Sequence, residues 1–140
     1  MKILLAADES KCAMRAVKHV IDNLSMFGPT PDIHLLHVER PLPGRATAAV
    51  GRSVVQGYYR EQSAKALASA RRALARSGIK FKEVHLIGDP GATIAAYARQ
   101  QKFPLVVIGS HGQGALSSMV LGSVARKVLA SCDTPALIIR

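Results

Sequence analysis

The sequence predicts an α/β fold in which helices cover a mostly parallel sheet. Short apolar runs rich in β-branched residues alternate with segments that carry apolar residues every three or four positions, which is the pattern of this class. A length of 140 residues fits one domain over 1–140, which buries about two-thirds of the surface that its unfolded chain exposes. Hydrophobic residues make up 49% of the chain, so a disordered protein is excluded.

The first half of the chain predicts two strands and two helices. A strand over 3–7 precedes a helix with one apolar face, which Gly28 and Pro29 end. A second strand covers 33–38. Residues 40–57 form a long irregular stretch, and such loops in compact domains are usually functional or mobile. A second helix then runs over 59–77.

The second half predicts three more strands and two more helices. A strand over 83–87 leads to a helix whose first turn contains Pro90, a position where proline's missing N–H has no partner to lose. The run 105–108 is continuous and β-branched, as in a strand covered on both faces. A last helix precedes a final strand over 136–139, and its predicted apolar face consists of Leu121, Val124, Ala125, Val128 and Leu129.

Cysteine usage and hydropathy limit the possible sites and compartments. Cys12 and Cys132 lie far apart, so we expect two small buried thiols rather than a disulfide or a zinc site. No apolar run approaches the roughly 18 residues that cross a bilayer, and Asp8 interrupts the first apolar run before it is long enough for a secretory leader. We therefore expect a cytoplasmic protein that does not enter a membrane.

The chain is strongly basic. It has 19 Lys and Arg against 9 Asp and Glu, a net charge of +10, and such a field attracts nucleotides, nucleic acids and acidic surfaces alike. Nucleic-acid stacking surfaces need aromatic rings, yet the chain has three Tyr, three Phe and no Trp. Lys65, Arg72 and Arg76 share one helix face, which a solvated surface explains more simply. Nucleic acid or another anionic partner stays a weakly supported alternative.

A glycine-rich segment carries the chemistry. Gly109 ends a buried strand, Gly112 allows the following turn to approach a ligand, and nine residues later Gly122 and Ser123 begin the last helix. Unpaired N–H groups and the positive end of the helix dipole suit an anion there, and the Ser123 hydroxyl adds a donor. These are the parts of a phosphate-binding site.

Other interpretations of the same residues exist. Glycines also cluster at strand–helix turns for backbone reasons alone, and Ser123 could cap its helix. The chain has no P-loop motif. A dinucleotide fingerprint beginning at Gly112 and Gly114 fails because Ser117 stands where its third glycine belongs.

The spacing G-x2-G-x9-G-[ST] after a strand resembles that of the nucleotide-binding universal stress proteins. The resemblance extends over essentially the whole chain, from the opening strand and acidic turn over 2–10, through 35–38, to the closing segment 132–140. It implies a three-layer, Rossmann-like fold of the adenine nucleotide alpha hydrolase-like type, with a five-stranded parallel sheet in the order 3-2-1-4-5. It also implies ATP, or another adenine nucleotide, at the carboxyl ends of strands one and four. General physics supports that place, because ligands of open parallel sheets bind at the topological switch point.

Position by position, the resemblance implies a pocket with the backbone of Val38 at the adenine and the glycine segments around ribose and phosphates. Asp8 can meet the ribose or a phosphate-bound Mg²⁺, while a competing role for Asp8 or Ser10 is to cap the first helix. Ala125 matches a ligand-facing position, but its methyl cannot donate a hydrogen bond. The implied pocket residues are Ala6, Ala7, Asp8, Val38, Ile108, Gly109, Ser110, His111, Gly112, Gly122, Ser123 and Val124.

The resemblance thus predicts a small ATP-binding module that regulates or signals in a stress response. We see no nucleophile–base pair and no second carboxylate to orient a water, so we expect no efficient hydrolysis. Slow hydrolysis or phosphate transfer to Ser or Thr stays open. The apolar final strand Ala136–Ile139 would be an exposed sheet edge, so we expect a homodimer through it. We interpret His34, His37 and His85 as strand residues with local partners.

Overall fold

A computed structural model describes residues 1–112 and 121–140, and their centre is a five-stranded parallel sheet. The strands pair in the order β3-β2-β1-β4-β5, which confirms the predicted topology. Gln113, Gly114 and Ser117, which the fingerprint argument used, lie outside the described residues. The strands are β1 Lys2–Ala6, β2 Asp32–Glu39, β3 Phe81–Ile87, β4 Val106–Gly109 and β5 Ala136–Ile139.

Helices cover both faces of the sheet and complete three layers. Alternate residues of the central strand point to opposite sides, as Leu5 packs with α1 and α3 while Leu4 packs with α4 and α5, and neither is exposed. This arrangement confirms the predicted α/β class. The helices are α1 Lys11–Asp22, α2 Gly44–Val50, α3 Arg52–Arg76, α4 Pro90–Gln100 and α5 Ser123–Ser131, with a short 3-10 helix at Leu24–Phe27.

The prediction of an irregular stretch over 40–57 is wrong. It holds α2 and the first turns of α3, which begins at Arg52 and not at residue 59. Only Gly51 separates the two helices, with a φ of 84° that few other residues adopt. α2 buries no residue and α3 buries none before Ser63. An exposed helical segment needs no apolar residues at regular spacing, so no periodic pattern predicts helices here.

Three smaller predictions also need correction. The first helix ends at Asp22, since Asn23 caps it, and Gly28 instead ends the 3-10 helix that follows. Leu121 precedes α5 and Leu129 is 49% exposed, so neither belongs to a buried helix face. The two cysteines are free, as expected, but they are half-buried rather than buried.

Gly109 allows α1 to approach the end of β4 closely. A Cβ at this position would lie 2.6 Å from the carbonyl carbon of Cys12 and 2.8 Å from the backbone nitrogen of Ala13. Both atoms belong to the first turn of α1 and cannot rotate away as a side chain could. The absence of a side chain at Gly109 therefore fixes where the amino end of α1 lies relative to the sheet.

We predict that Gly109→Ala destabilises the protein by about 1–3 kcal/mol, the usual cost of overpacking, in urea unfolding followed by circular dichroism. Gly57→Ala is the matched control, because a Cβ at this helical position meets nothing within 4 Å. The control should stabilise the protein by about 0.5–1 kcal/mol, since alanine is the better helix former. Equal midpoints for Gly109→Ala and the unmodified protein would show that the contact does not constrain α1.

Candidate functional site

A cavity of about 480 Å³ opens at the carboxyl ends of β1 and β4. All twelve residues implied by the resemblance line it, so the fold brings together positions that lie over 100 residues apart in sequence. Apolar side chains of Val38, Ile94, Ile108 and Val124 form one part of its wall, and the glycine segments form another. This is the switch point of the sheet, where the connections of neighbouring strands leave in opposite directions.

The hydrogen bonds of the acidic turn after β1 decide between the two roles considered for Asp8. Ser10 is the N-cap of α1, and its hydroxyl oxygen accepts a hydrogen bond from the Ala13 N–H at 3.1 Å. Asp8 Oδ1 instead accepts from the Ser10 N–H at 2.9 Å, which fixes the carboxylate at the cavity wall. The capping role predicted as an alternative thus belongs to Ser10 and not to Asp8.

The turn after β4 is held by both neighbouring helices. The Ser10 hydroxyl donates to the His111 carbonyl oxygen at 3.3 Å, and the Gly122 N–H donates to the Ser110 carbonyl oxygen at 2.7 Å. The Ser110 N–H in turn donates to the Ile139 carbonyl oxygen at 2.7 Å, at the end of β5. These bonds place the amino ends of α1 and α5 beside the same turn.

The amino end of α5 has the features of an anion site. Gly122 is its N-cap and Ser123 its first residue, so Ser123 does not cap the helix as the alternative interpretation supposed. Among the described residues no side chain accepts a hydrogen bond as the cap of this helix, and Ser123 is exposed at the cavity. First-turn N–H groups and a serine hydroxyl are suitable donors for a phosphate.

Gly122 and Gly112 leave room that side chains would fill. A Cβ on Gly122 would lie 3.0 Å from the Ser110 carbonyl oxygen, and one on Gly112 would lie 3.1 Å from Asp8 Oδ2. The second distance shows that the Gly112 turn and the Asp8 carboxylate face each other closely. The absence of side chains at both glycines thus allows the turn to pack this closely, which agrees with the backbone interpretation offered for them.

The structure contains groups that bear on two expectations about catalysis. Ser110 Oγ lies 2.9 Å from His111 Nδ1, so a hydroxyl and an imidazole do form a pair, although Ser110 is only 1% exposed. Two further carboxylates, those of Glu9 and Glu39, line the cavity beside Asp8. The pair was not predicted because it joins consecutive residues, and Glu39 was not predicted because only the backbone of its neighbour Val38 was assigned at this end of the second strand.

Basic groups surround a carboxylate near the rim. Lys127 Nζ lies 2.9 Å from Asp89 Oδ1, and Arg40, which lines the cavity, lies 4.0 Å from Asp89 Oδ2. The hydrogen bond from Lys127 lowers the pKa of Asp89, which also caps α4. Other residues that line the cavity without a sequence prediction include Arg40, Gln62, Ala66 and Pro90.

The three strand histidines have local partners, as predicted. His37 Nδ1 lies 3.0 Å from the Ala7 carbonyl oxygen, and its Nε2 lies 3.2 Å from Glu39 Oε2. His34 lies 3.3 Å from the Tyr97 hydroxyl, and burial lowers its pKa. His85 lies 3.4 Å from Glu83. Within residues 1–112 and 121–140, no three His, Cys, Asp or Glu side chains cluster as metal ligands.

Sequence comparison identifies related proteins over the full length. The Universal stress protein family matches residues 1–140. A universal stress protein of Thermus aquaticus is 29% identical over 139 residues, covering 99% of this chain and 97% of the relative. The universal stress protein MJ0577 of Methanocaldococcus jannaschii is 27% identical over 154 residues, covering 99% and 94%.

Solved structures share the fold. The structure of MJ0577 superposes with a TM-score of 0.80 at 26% identity, covering 99% of this chain and 94% of that one. A universal stress protein of Archaeoglobus fulgidus in complex with dAMP has a TM-score of 0.69 at 22% identity, covering 100% and 98%. Another universal stress protein, in complex with cAMP, has a TM-score of 0.69 at 21% identity and covers 100% and 97%.

The described helices also bear on membrane insertion. Within the part of the chain that the structure describes, no helix combines the length and the apolar character needed to span a bilayer.

Proposed function

We propose that this chain, which belongs to the universal stress protein family, binds ATP or another adenine nucleotide in the cavity at the ends of β1 and β4. One observation carries the proposal: two helix amino ends and a glycine turn converge beside an apolar wall. An adenine nucleotide matches both features, because its ring suits the apolar wall and its polyanionic tail suits the N–H donors. The dAMP and cAMP complexes of structural relatives support the same ligand class.

The phosphates are expected at the α5 end of the cavity. There the first-turn N–H groups of α5 and the Ser123 hydroxyl are donors, and the positive end of the helix dipole favours negative charge. The backbone of the turn from Gly109 to Gly112 surrounds the ribose and the first phosphate. Arg40, which lines the cavity, adds to the attraction for an anion.

The adenine ring is expected against the apolar wall, with its edge at the backbone of Val38. Asp8 suits a Mg²⁺ ion brought by the nucleotide, because one carboxylate together with phosphate oxygens and water is the usual Mg²⁺ environment. Its Oδ1 is already fixed by the Ser10 N–H and its Oδ2 faces the Gly112 turn. When bound, the ion neutralises phosphate charge.

We infer a binding and signalling role in the cytoplasm rather than efficient ATP hydrolysis. The hydroxyl of Ser110 lies within hydrogen-bond distance of His111 Nδ1, but Ser110 is buried, so its hydroxyl is poorly placed to attack a phosphate. A module of this kind changes its interactions according to which nucleotide it holds. Slow turnover is compatible with this role.

We predict that Ser123→Ala weakens ATP binding about tenfold in isothermal titration calorimetry with Mg²⁺, the usual effect of losing one hydrogen bond to a charged group. Ser131→Ala is the matched control, because Ser131 is the last residue of the same helix and is exposed. Its affinity should equal that of the unmodified protein. Omission of Mg²⁺ should weaken ATP binding to the unmodified protein as well.

Unchanged affinity in Ser123→Ala, with normal binding to the unmodified protein, would place the phosphates elsewhere. Absence of any ATP binding heat at several temperatures would contradict the proposed function itself.

We also propose a homodimer through β5. This strand is at the edge of the sheet, and all four of its residues are only half-buried although they are apolar. Bare apolar edges of this kind are usually covered in native proteins. A second copy of the same strand would cover each edge symmetrically.

Solution scattering at micromolar concentration should therefore give a mass of about two chains of 14.9 kDa. A mass of one chain at these concentrations would contradict the dimer while leaving nucleotide binding untouched.

A further inference from the structure

A second depression lies on the sheet edge opposite to β5, between the first half of α3 and the end of β3. We call it the edge groove. Its volume is about 510 Å³, similar to that of the strand-end cavity. It is lined by Gln56, Tyr59, Arg60, Ser63, His85, Leu86 and Ile87.

The groove exists because α3 is longer than the sheet that it covers. Its 25 residues span about 37 Å, whereas the seven residues of β3 span about 23 Å. The later half of α3 is anchored, since Arg71 binds both carboxylate oxygens of Glu83 and lowers the pKa of that group. The earlier half buries no residue before Ser63, and Ile87 stays 52% exposed beneath it.

Two polar side chains of the edge groove, those of Ser63 and Arg60, have no hydrogen-bond partner among the described residues. Ser63 is 3% exposed as a residue, and its hydroxyl, which is not fully buried, lines the groove and makes no hydrogen bond to any described residue. Arg60 likewise forms no ion pair or hydrogen bond within 1–112 and 121–140. His85 contacts Glu83, but that carboxylate is already bound by Arg71. No Asp or Glu is among the lining residues.

The segment around the groove is strongly basic and therefore attracts anions. Residues 40–83 contain ten Lys and Arg against two Asp and Glu, so this segment holds +8 of the net charge of +10. One of the two acids, Glu83, is neutralised by Arg71. The positive charge of the chain is thus concentrated on α2, α3 and the start of β3, and the rest of the chain is nearly neutral.

The floor of the groove is apolar. The Tyr59 ring is held in place because its hydroxyl accepts a hydrogen bond from the Leu42 N–H at 2.8 Å. Together with the exposed side chain of Ile87 it offers a surface for a ring or a branched chain. A fixed aromatic face next to an unpaired guanidinium and an accessible hydroxyl suits a ligand with one charged and one apolar end.

We propose that the edge groove binds a small organic anion, with its carboxylate or phosphate on Arg60, Ser63 and His85 and its apolar body on Tyr59 and Ile87. The site is separate from the strand-end cavity, with which it shares no lining residue. It does not depend on nucleotide binding. The +8 segment around it draws such anions from solution.

The test uses phenyl phosphate as a probe, titrated into the full chain labelled with ¹⁵N. Amide shifts should saturate at Ser63, His85 and Ile87, and Arg60→Gln should weaken the fitted affinity about tenfold. Arg72→Gln is the matched control, since it removes the same charge from an exposed position of the same helix. It should change the affinity less than twofold.

Two further probes separate the two ends of the ligand. Phenol lacks the charge and inorganic phosphate lacks the ring, so each should bind the edge groove more weakly than phenyl phosphate. Benzoate distinguishes a carboxylate ligand from a phosphate ligand at the same residues.

Several outcomes would overturn the proposal. Shifts confined to Asp8, Gly122 and their neighbours would assign the probe to the strand-end cavity alone. Equal loss of affinity in Arg60→Gln and Arg72→Gln would indicate attraction by net charge, as would tight binding of a nucleic acid that depends on both arginines. No saturable shift at millimolar phenyl phosphate would also refute it, provided that circular dichroism shows both variants folded.

Discussion

The contact between the Gly109 backbone and the first turn of α1 is the constraint on which the rest of the arrangement depends. With no side chain at this position, α1 begins directly against the end of β4. Ser10 then caps α1 and also binds the carbonyl of His111, while Gly122 binds that of Ser110. Two helix amino ends are thereby fixed at one turn, which creates a small region rich in N–H donors. The proposed phosphate site depends on this packing and uses no dedicated basic side chain.

The sequence predicted most of this region because its determinants are local. Gly109, Gly122 and the strand runs before them have a recognisable spacing, and the sheet order followed from the family resemblance. The helical segment at 44–58 was not predictable in the same way, since exposed helices show no apolar periodicity. Gln62 reaches the cavity only through tertiary packing, and nothing in its own sequence neighbourhood marks it, whereas Glu39 directly follows Val38, at which only a backbone contact was expected.

The two sides of the molecule differ in their charged groups, in line with the two ligands proposed for them. At the strand-end cavity, backbone donors and the fixed carboxylate of Asp8 suit a nucleotide that brings its own cation. At the edge groove, unpaired cationic and hydroxyl side chains suit an anion that brings none. Helix α3 lines both, with Gln62 and Ala66 at the first and Arg60 and Ser63 at the second. The net charge of +10 is thus better understood from where it lies than from its size.

The most direct test of the central claim is a crystal structure of the protein grown with ATP and Mg²⁺. Convergence of the two helix amino ends predicts electron density for the triphosphate against the amides of Gly122 and Ser123, with the adenine beside Val38. Density for the nucleotide at any other place, or a cavity filled by rearranged side chains at saturating ATP, would contradict the account.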